Sequence, residues 1–153
     1  MGVRMTDEEI DRFLTDKLTV VFVTINPDGT PLPTPLWYIN KGPTVYVRTM
    51  RNLWKTKNVL RDPRATAVVE DGDIYLKLRA VIVKGRVEIV EDEDELDWFK
   101  DQMEAKYGHR RPQMQKMASA TQRHYANPQV VMKLVPEKVW TWDNSKLRVP
   151  SAS

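Results

Sequence analysis

The chain has 153 residues, of which 41% are hydrophobic and 29% charged, so it is long enough for one domain with a buried core. It contains no cysteine and only two histidines, which excludes disulfides, thiolate metal sites and histidine-based metal clusters. The longest apolar run, 18–25, is too short to cross a bilayer, and 1–20 lacks the apolar core of a signal peptide. We expect a cytoplasmic protein with a single domain over 1–147 and a flexible tail over 148–153.

Four helices are predicted from amphipathic patterns and capping signals. Thr6 and Glu9 have the spacing of a capping box, so the first helix should begin at Thr6. Thr49 is the candidate cap of a second helix that ends before Pro63. The helices are predicted at 6–14, 50–61, 94–107 and 113–124.

Runs rich in β-branched residues predict about six strands, joined mostly by hairpins. The predicted strands are 18–25, 32–39, 44–49, 65–70, 74–90 and two short segments within 129–143. Pro33 and Pro35 cannot donate ladder hydrogen bonds, so 32–39 should be an edge strand. Gly85 marks a bulge or bend in the long strand. The pattern predicts a mainly β protein, an antiparallel barrel with helices packed around it.

The charges are unevenly distributed. Residues 48–64 hold six Lys or Arg and one acid, whereas 91–97, EDEDELD, hold six acids and no base. The acids fall at a helix N-terminus, where the helix dipole favours them. The basic run lies at a strand-to-helix junction, where backbone N–H groups and long cationic side chains can surround an anion. The alternative is a solvated helix whose Lys and Arg stems cover apolar surface.

Three segments in order resemble one known family. INPDGTPLPTPLWYI, VYVRTMRNLWKTKNVLRDPRA and LRAVIVKGRVEIV are similar to the flavin-binding split-barrel superfamily of pyridoxamine 5′-phosphate oxidase, over roughly residues 8–143. The pattern from Thr49 to Arg64 most resembles the branch that uses the deazaflavin coenzyme F-420. The resemblance implies a six-stranded split barrel of the FMN-binding type, a homodimer and two cofactor sites at the dimer interface.

The resemblance also implies which residues bind the cofactor. The family's phosphate-binding positions correspond to Arg48, Thr49, Arg51, Lys55 and Lys57. Its ring-facing strand corresponds to Pro35, Leu36 and Trp37, and the motif PEKVWTW implies that Trp142 of a second subunit lies near the cofactor. No catalytic side chain and no metal ligand are implied.

Several positions depart from the oxidase pattern. Ala80 replaces a Gln that contacts the flavin, Leu53 and Trp54 replace a Ser-Arg pair, and the segment after Trp142 lacks the Arg-x-His pair that binds the pyridoxal substrate. We therefore do not expect pyridoxamine phosphate oxidation. The expected activity is hydride transfer between FMN or F-420 and a small conjugated substrate.

Two other functions stay open at this point. One is a carrier that binds the flavin or deazaflavin without turnover. The other is a basic nucleic-acid-binding module. The sequence pI near 9.1 and the aromatic residues beside the basic run would suit such a function. His109 and His124 lie in polar contexts and are expected to be exposed and non-catalytic. Of Trp140 and Trp142, one is expected in the core and the other at an interface.

Overall fold

The computed structural model describes residues 2–147 and consists of one antiparallel sheet with four helices. The strands are β1 Val20–Ile25, β2 Pro31–Leu36, β3 Ile39–Lys41, β4 Thr44–Met50, β5 Arg64–Asp71, β6 Arg79–Ile89 and β7 Gln129–Asp143. The helices are α1 Asp7–Asp16, α2 Trp54–Arg61, α3 Glu93–Tyr107 and α4 Ser119–Tyr125. The predicted tail at 148–153 lies outside the described residues.

The seven strands form a curled sheet in the order β2-β1-β5-β6-β7-β4-β3. This is the predicted mainly β split barrel, with seven strands in place of six. The predicted strand 32–39 divides in two, whereas the two short segments predicted within 129–143 form one strand. β2 ends at Leu36 and β3 begins at Ile39; between them the Tyr38 N–H and carbonyl form hydrogen bonds with the Tyr107 hydroxyl. β2 is an edge strand, as its prolines predicted.

The first helix begins as predicted. The Thr6 hydroxyl accepts from the Glu9 N–H at 3.2 Å, and the Glu9 carboxylate accepts from the Thr6 N–H at 3.1 Å. Ile10, Phe13 and Leu14 form its buried face. α3 is likewise capped by Asp92, which accepts from the Glu95 N–H at 2.9 Å, so the acidic run stabilises a helix start.

The two longest strands pair along most of their length, and the predicted bulge at Gly85 is confirmed. The register between β6 and β7 shifts between Lys84 and Gly85. A Cβ atom at Gly85 would lie 1.9 Å from the Val135 carbonyl oxygen, so no larger residue fits without movement of the backbone.

Three predicted boundaries were wrong. β6 begins at Arg79 because residues 75–77 form a 3-10 turn, in which the Lys77 N–H donates to the Ile74 carbonyl at 2.9 Å. The C-terminal segment is one strand, β7, because β6 and β4 pair with it on opposite edges. The predicted helix 113–124 is reduced to α4, preceded by a short 3-10 turn at 114–116.

Buried side chains form two apolar clusters. The larger one fills the inside of the sheet and includes Phe22, Val45, Val81, Met132 and Leu134. The smaller one lies under α3 and is built on Ile39, Tyr46, Phe99, Met103 and Tyr107. Neither contains Trp140 or Trp142, which are 41% and 37% exposed. Residues two apart on a strand point to the same side, and here both side chains are exposed. The expectation that one of them lies in the core was therefore wrong.

No helix within residues 2–147 is long and apolar enough to cross a membrane.

Candidate functional site

The junction between β4 and α2 forms differently from the sequence prediction. Thr49 does not cap the helix, because β4 continues through Met50 and Thr49 pairs with Val130 of β7. The helix begins at Trp54, and its N-cap Leu53 has no side-chain capping bond. The prediction was wrong because a partner strand some eighty residues further along the chain holds this segment extended.

Three hydrogen bonds hold the turn between β4 and α2. The Thr56 hydroxyl donates to the Met50 carbonyl at 2.7 Å, the Arg51 N–H donates to the Pro128 carbonyl at 2.8 Å, and the Leu53 N–H donates to the Met50 carbonyl at 3.3 Å. Thr56 is completely buried, so its bond ties the first turn of the helix to the end of the strand. Lys55 is therefore held close to Arg48 and Thr49.

A cleft of about 800 Å³ opens at this junction. It brings together five predicted site residues, namely Leu36, Trp37, Arg48, Thr49 and Lys55. Its volume falls in the range of roughly 300–1,000 Å³ that is usual for small-molecule and cofactor sites. Apolar lining comes from Met50, Leu53, Met103 and Met114, so the cleft combines an apolar wall with a cationic end.

Two of the three cations that line the cleft, Arg48 and Lys55, are partly buried and lack a carboxylate partner among the described residues. Burial lowers the pKa of Lys55, and burial followed by the nearby charge of Arg111 lowers the pKa of Arg48. Among residues 2–147, no Asp or Glu lies within salt-bridge distance of Arg48 or Lys55. Desolvated cations are unfavourable unless an anion compensates them. An anion bound in the cleft would compensate both charges.

The aromatic wall of the cleft is fixed by α3. The Trp37 ring stacks on Tyr107, with the centroids 4.5 Å apart and the planes 13° from parallel. The Tyr107 hydroxyl accepts from the Tyr38 N–H at 3.0 Å and lies 2.7 Å from the Tyr38 carbonyl, which can accept its proton. Burial raises the pKa of Tyr107 to about 12, so it stays a donor at neutral pH. These bonds hold Trp37 in position beside the cleft.

Comparison with known protein families identifies the fold family. Residues 6–143 match the family model described as pyridoxamine 5′-phosphate oxidase. The chain belongs to this family of flavin-binding split barrels. The resemblance found in the sequence is thereby confirmed. No curated protein matches the chain.

Solved structures agree with the family assignment. A conserved hypothetical protein from Mycobacterium tuberculosis is 30% identical, with a TM-score of 0.81 over 99% of this chain and 93% of its own. A FAD-binding protein from Mesorhizobium loti is 21% identical, with a TM-score of 0.67 over 92% and 97%. An F-420 reductase is 22% identical, with a TM-score of 0.62 over 85% and 94%. The last two similarities concern the fold alone.

The other four predicted site residues of this family member lie outside the cleft. Pro35 lies on the edge strand β2 opposite Val21. Arg51 lines a neighbouring pocket of about 400 Å³, which it shares with Arg48. Lys57 extends over the Trp54 ring, with its ammonium 5.0 Å from the ring centroid. Trp142 pairs with Ala80 on β7 and is not among the cleft residues of its own chain.

The C-terminal half of the basic run has partners within the chain. Arg61 donates to the Ile25 carbonyl and, at 3.2 Å, to the Asn58 side-chain oxygen. Arg64 forms a two-pronged pair with Asp62, with a closest approach of 2.7 Å. On α2 the apolar side chains of Leu60 and Trp54 are about 60% exposed, whereas the polar side chain of Asn58 is completely buried.

One wall of the cleft consists of residues that the sequence did not predict as site residues. Arg111, Met114, His124 and Tyr125 all line it, and they come from the segment between α3 and β7. This segment has two 3-10 turns and a seven-residue helix, so it lacks the long periodic pattern from which a sequence prediction starts. The only available signal was the clustering of His and Arg in GHRRP and QRHY.

Proposed function

We propose that the protein is an oxidoreductase that holds FMN or the deazaflavin coenzyme F-420 in the cleft at the β4–α2 junction and supports hydride transfer to a small conjugated substrate. The observation that carries the proposal is the pair of desolvated cations, Arg48 and Lys55, which have no carboxylate partner within residues 2–147. We expect it to act in the cytoplasm.

The side chains at the cationic end fit a phosphate group. Arg48 and Lys55 would neutralise its charge, and the Thr49 hydroxyl would donate a further hydrogen bond. Leu36, Trp37, Met50 and Leu53 provide apolar surface on which a planar ring system can pack. The bound cofactor would supply the redox chemistry, while these residues bind it, orient it and exclude water.

The choice between the two cofactors is left to experiment. The carboxylates of the F-420 glutamate tail would need cations beyond the phosphate site, but Arg61 already has partners within the chain and Lys57 lies over Trp54. Arg51 has no acidic partner within residues 2–147. It lines a neighbouring pocket that shares the residue Arg48 with the cleft. One added cation therefore remains for F-420, and none is required for FMN.

The charge layout argues against the nucleic-acid alternative. A nucleic-acid-binding surface needs cations spread along an exposed face. Here Arg48 and Lys55 converge on a cleft, and Arg61 and Arg64 are bonded within the chain. A carrier without turnover would use the same cleft, so only an activity measurement separates it from an enzyme.

The test begins with the purified protein. Its absorbance spectrum and mass spectrometry of whatever heat releases should reveal a flavin or deazaflavin, and titration of cofactor-free protein with FMN and F-420 should give saturable binding of at least one. A reduced FMN complex should reoxidise readily in air, whereas a reduced F-420 complex should react slowly with oxygen and transfer hydride only. Failure of both cofactors to bind would overturn the proposal.

We also propose that the protein is a homodimer with the cofactor at its interface. Trp37, Trp54 and Trp142 are 37%, 60% and 37% exposed, so a partner subunit could bury large aromatic side chains at these positions. Light scattering at micromolar concentration should give twice the mass of the chain, and a monomer would contradict the proposal.

A further inference from the structure

The cleft contains one side chain suited to exchanging a proton near neutral pH. Among its described lining residues there is no Asp or Glu, and the ionisable groups are three cations, Arg48, Lys55 and Arg111, the phenol of Tyr125 and the imidazole of His124. Imidazole is the side chain that ordinarily gains and loses a proton between pH 5 and 8. Arg111 is already paired with Glu104 at 3.0 Å.

His124 is held by its backbone while its ring stays available. Its carbonyl accepts from the side-chain amide of Asn127 at 2.8 Å, which fixes the last turn of α4. Its ring meets the Tyr125 ring edge to face, with the centroids 5.3 Å apart. Within residues 2–147 the imidazole makes no side-chain hydrogen bond, and the residue is exposed at the cleft. A ligand can therefore bond to it, and water can reprotonate it.

We infer that His124 is the proton donor for the substrate of this cleft. The inference rests on the proposed function. A conjugated carbonyl compound that accepts a hydride at its β-carbon loses its C=C π bond, and the electron pair moves towards the carbonyl end. A proton from the His124 imidazolium then forms the new C–H or O–H bond. The substrate gains one hydride, which carries both electrons of the reduction, and one proton, and His124 becomes neutral until solvent reprotonates it.

The other groups in the cleft are less suited to this step. Arg48 and Lys55 lie at the cationic end, where a bound phosphate would keep both of them protonated. A phenol such as Tyr125 is a much weaker acid than an imidazolium. General acid catalysis by a positioned side chain contributes about 10²–10⁴-fold to a rate, so its loss should be readily measured.

The chain offers a matched control in its second histidine. His109 is also exposed but lies in the 3-10 turn Gly108–Arg110 and is not among the cleft residues. Addition of FMN or F-420 to cofactor-free protein should shift the NMR ring signals of His124 and leave those of His109 in place. Cofactor binding that leaves the His124 signals unmoved would overturn the inference, whereas failure of both cofactors to bind would overturn the proposed function itself.

The kinetic test uses the protein loaded with whichever cofactor binds, reduced chemically and mixed with cyclohex-2-en-1-one or menadione. His124→Gln should react about a hundredfold more slowly than the parent and keep the parent cofactor Kd within about threefold. His109→Gln should behave as the parent.

The outcomes are distinguishable. A His124→Gln variant as fast as the parent across the pH range would overturn the assignment of His124 alone. A loaded parent that reduces neither probe would overturn the oxidoreductase proposal and this inference together, leaving the carrier function.

Discussion

The two halves of the basic run TMRNLWKTKNVLRDPR have similar composition but opposite surroundings. In the first half, Lys55 lies in the cleft close to Arg48 with no carboxylate partner within residues 2–147, and burial lowers the pKa of both groups. In the second half, Arg61 and Arg64 are bonded to groups of their own chain. A basic run is therefore informative about ligands only where its charges lack partners within the fold.

The largest expected effect is the loss of cofactor affinity when a cation in the first half of the basic run is removed. A charged hydrogen bond to a desolvated phosphate contributes about 1.5–3 kcal/mol. Lys55→Ala should therefore raise the cofactor Kd by about one to two decades, and Arg48→Ala with Lys55→Ala should raise it further. The free energy of unfolding should hardly change, because burial already disfavours the Lys55 charge in the cofactor-free protein.

Isothermal titration of cofactor-free protein measures this effect. Arg64→Ala is the matched control, because Arg64 belongs to the same basic run but its partner is Asp62. Its Kd should stay within about twofold of the parent value. If Lys55→Ala bound FMN and F-420 as tightly as Arg64→Ala, the solvated-helix interpretation would replace the anion site.

The second effect is on stability and concerns the other half of the run. Asn58 is completely buried; its amide donates to the Thr24 hydroxyl at 3.1 Å and to the Asn26 side-chain oxygen at 3.0 Å. Thr24 is also completely buried, so Asn58→Ala would leave its hydroxyl without this partner. We expect a loss of about 2–3 kcal/mol in the free energy of unfolding.

Urea denaturation followed by tryptophan fluorescence measures this loss. The control is Lys57→Ala, a neighbouring and exposed position on the same helix, which should change the midpoint little. An Asn58→Ala midpoint equal to that of Lys57→Ala would show that the buried amide bonds do not stabilise the α2–β1 contact.

Much of the fold was predictable from local patterns. The Thr6 capping box, the edge position of the proline-containing strand and the bulge at Gly85 all follow from short-range rules, and all are confirmed. The ordered segments also predicted the family. The errors arose where long-range pairing decides the outcome, as at Thr49, which β7 holds in a strand.

The candidate site was predictable only in part for the same reason. Arg48, Thr49 and Lys55 lie close together in the chain, so a motif can identify them. His124 reaches the cleft because the segment before β7 returns to β4, where Gln129 pairs with Met50. Nothing in the residues around His124 encodes that return, so local context indicated only an exposed histidine.

The smallest effect tests the Asp62–Arg64 pair at the end of the run. Hydrogen bonds from Arg64 lower the pKa of Asp62 from 3.8 to about 2. A carboxyl group whose pKa is lower in the folded state stabilises the fold above its unfolded pKa, and this contribution is lost as the pH falls from about 4 towards 2. Because the pair is exposed, solvent screens it and the change should be small.

Asp62→Asn should therefore show a shallower loss of the free energy of unfolding than the parent between pH 4 and 2, with no change in cofactor Kd at pH 7. Urea denaturation at a series of pH values checks the slope. A parent and variant that lose stability in parallel would mean that Asp62 and Arg64 are not paired in solution, and the contrast between the two halves of the run would then rest on Arg61 alone.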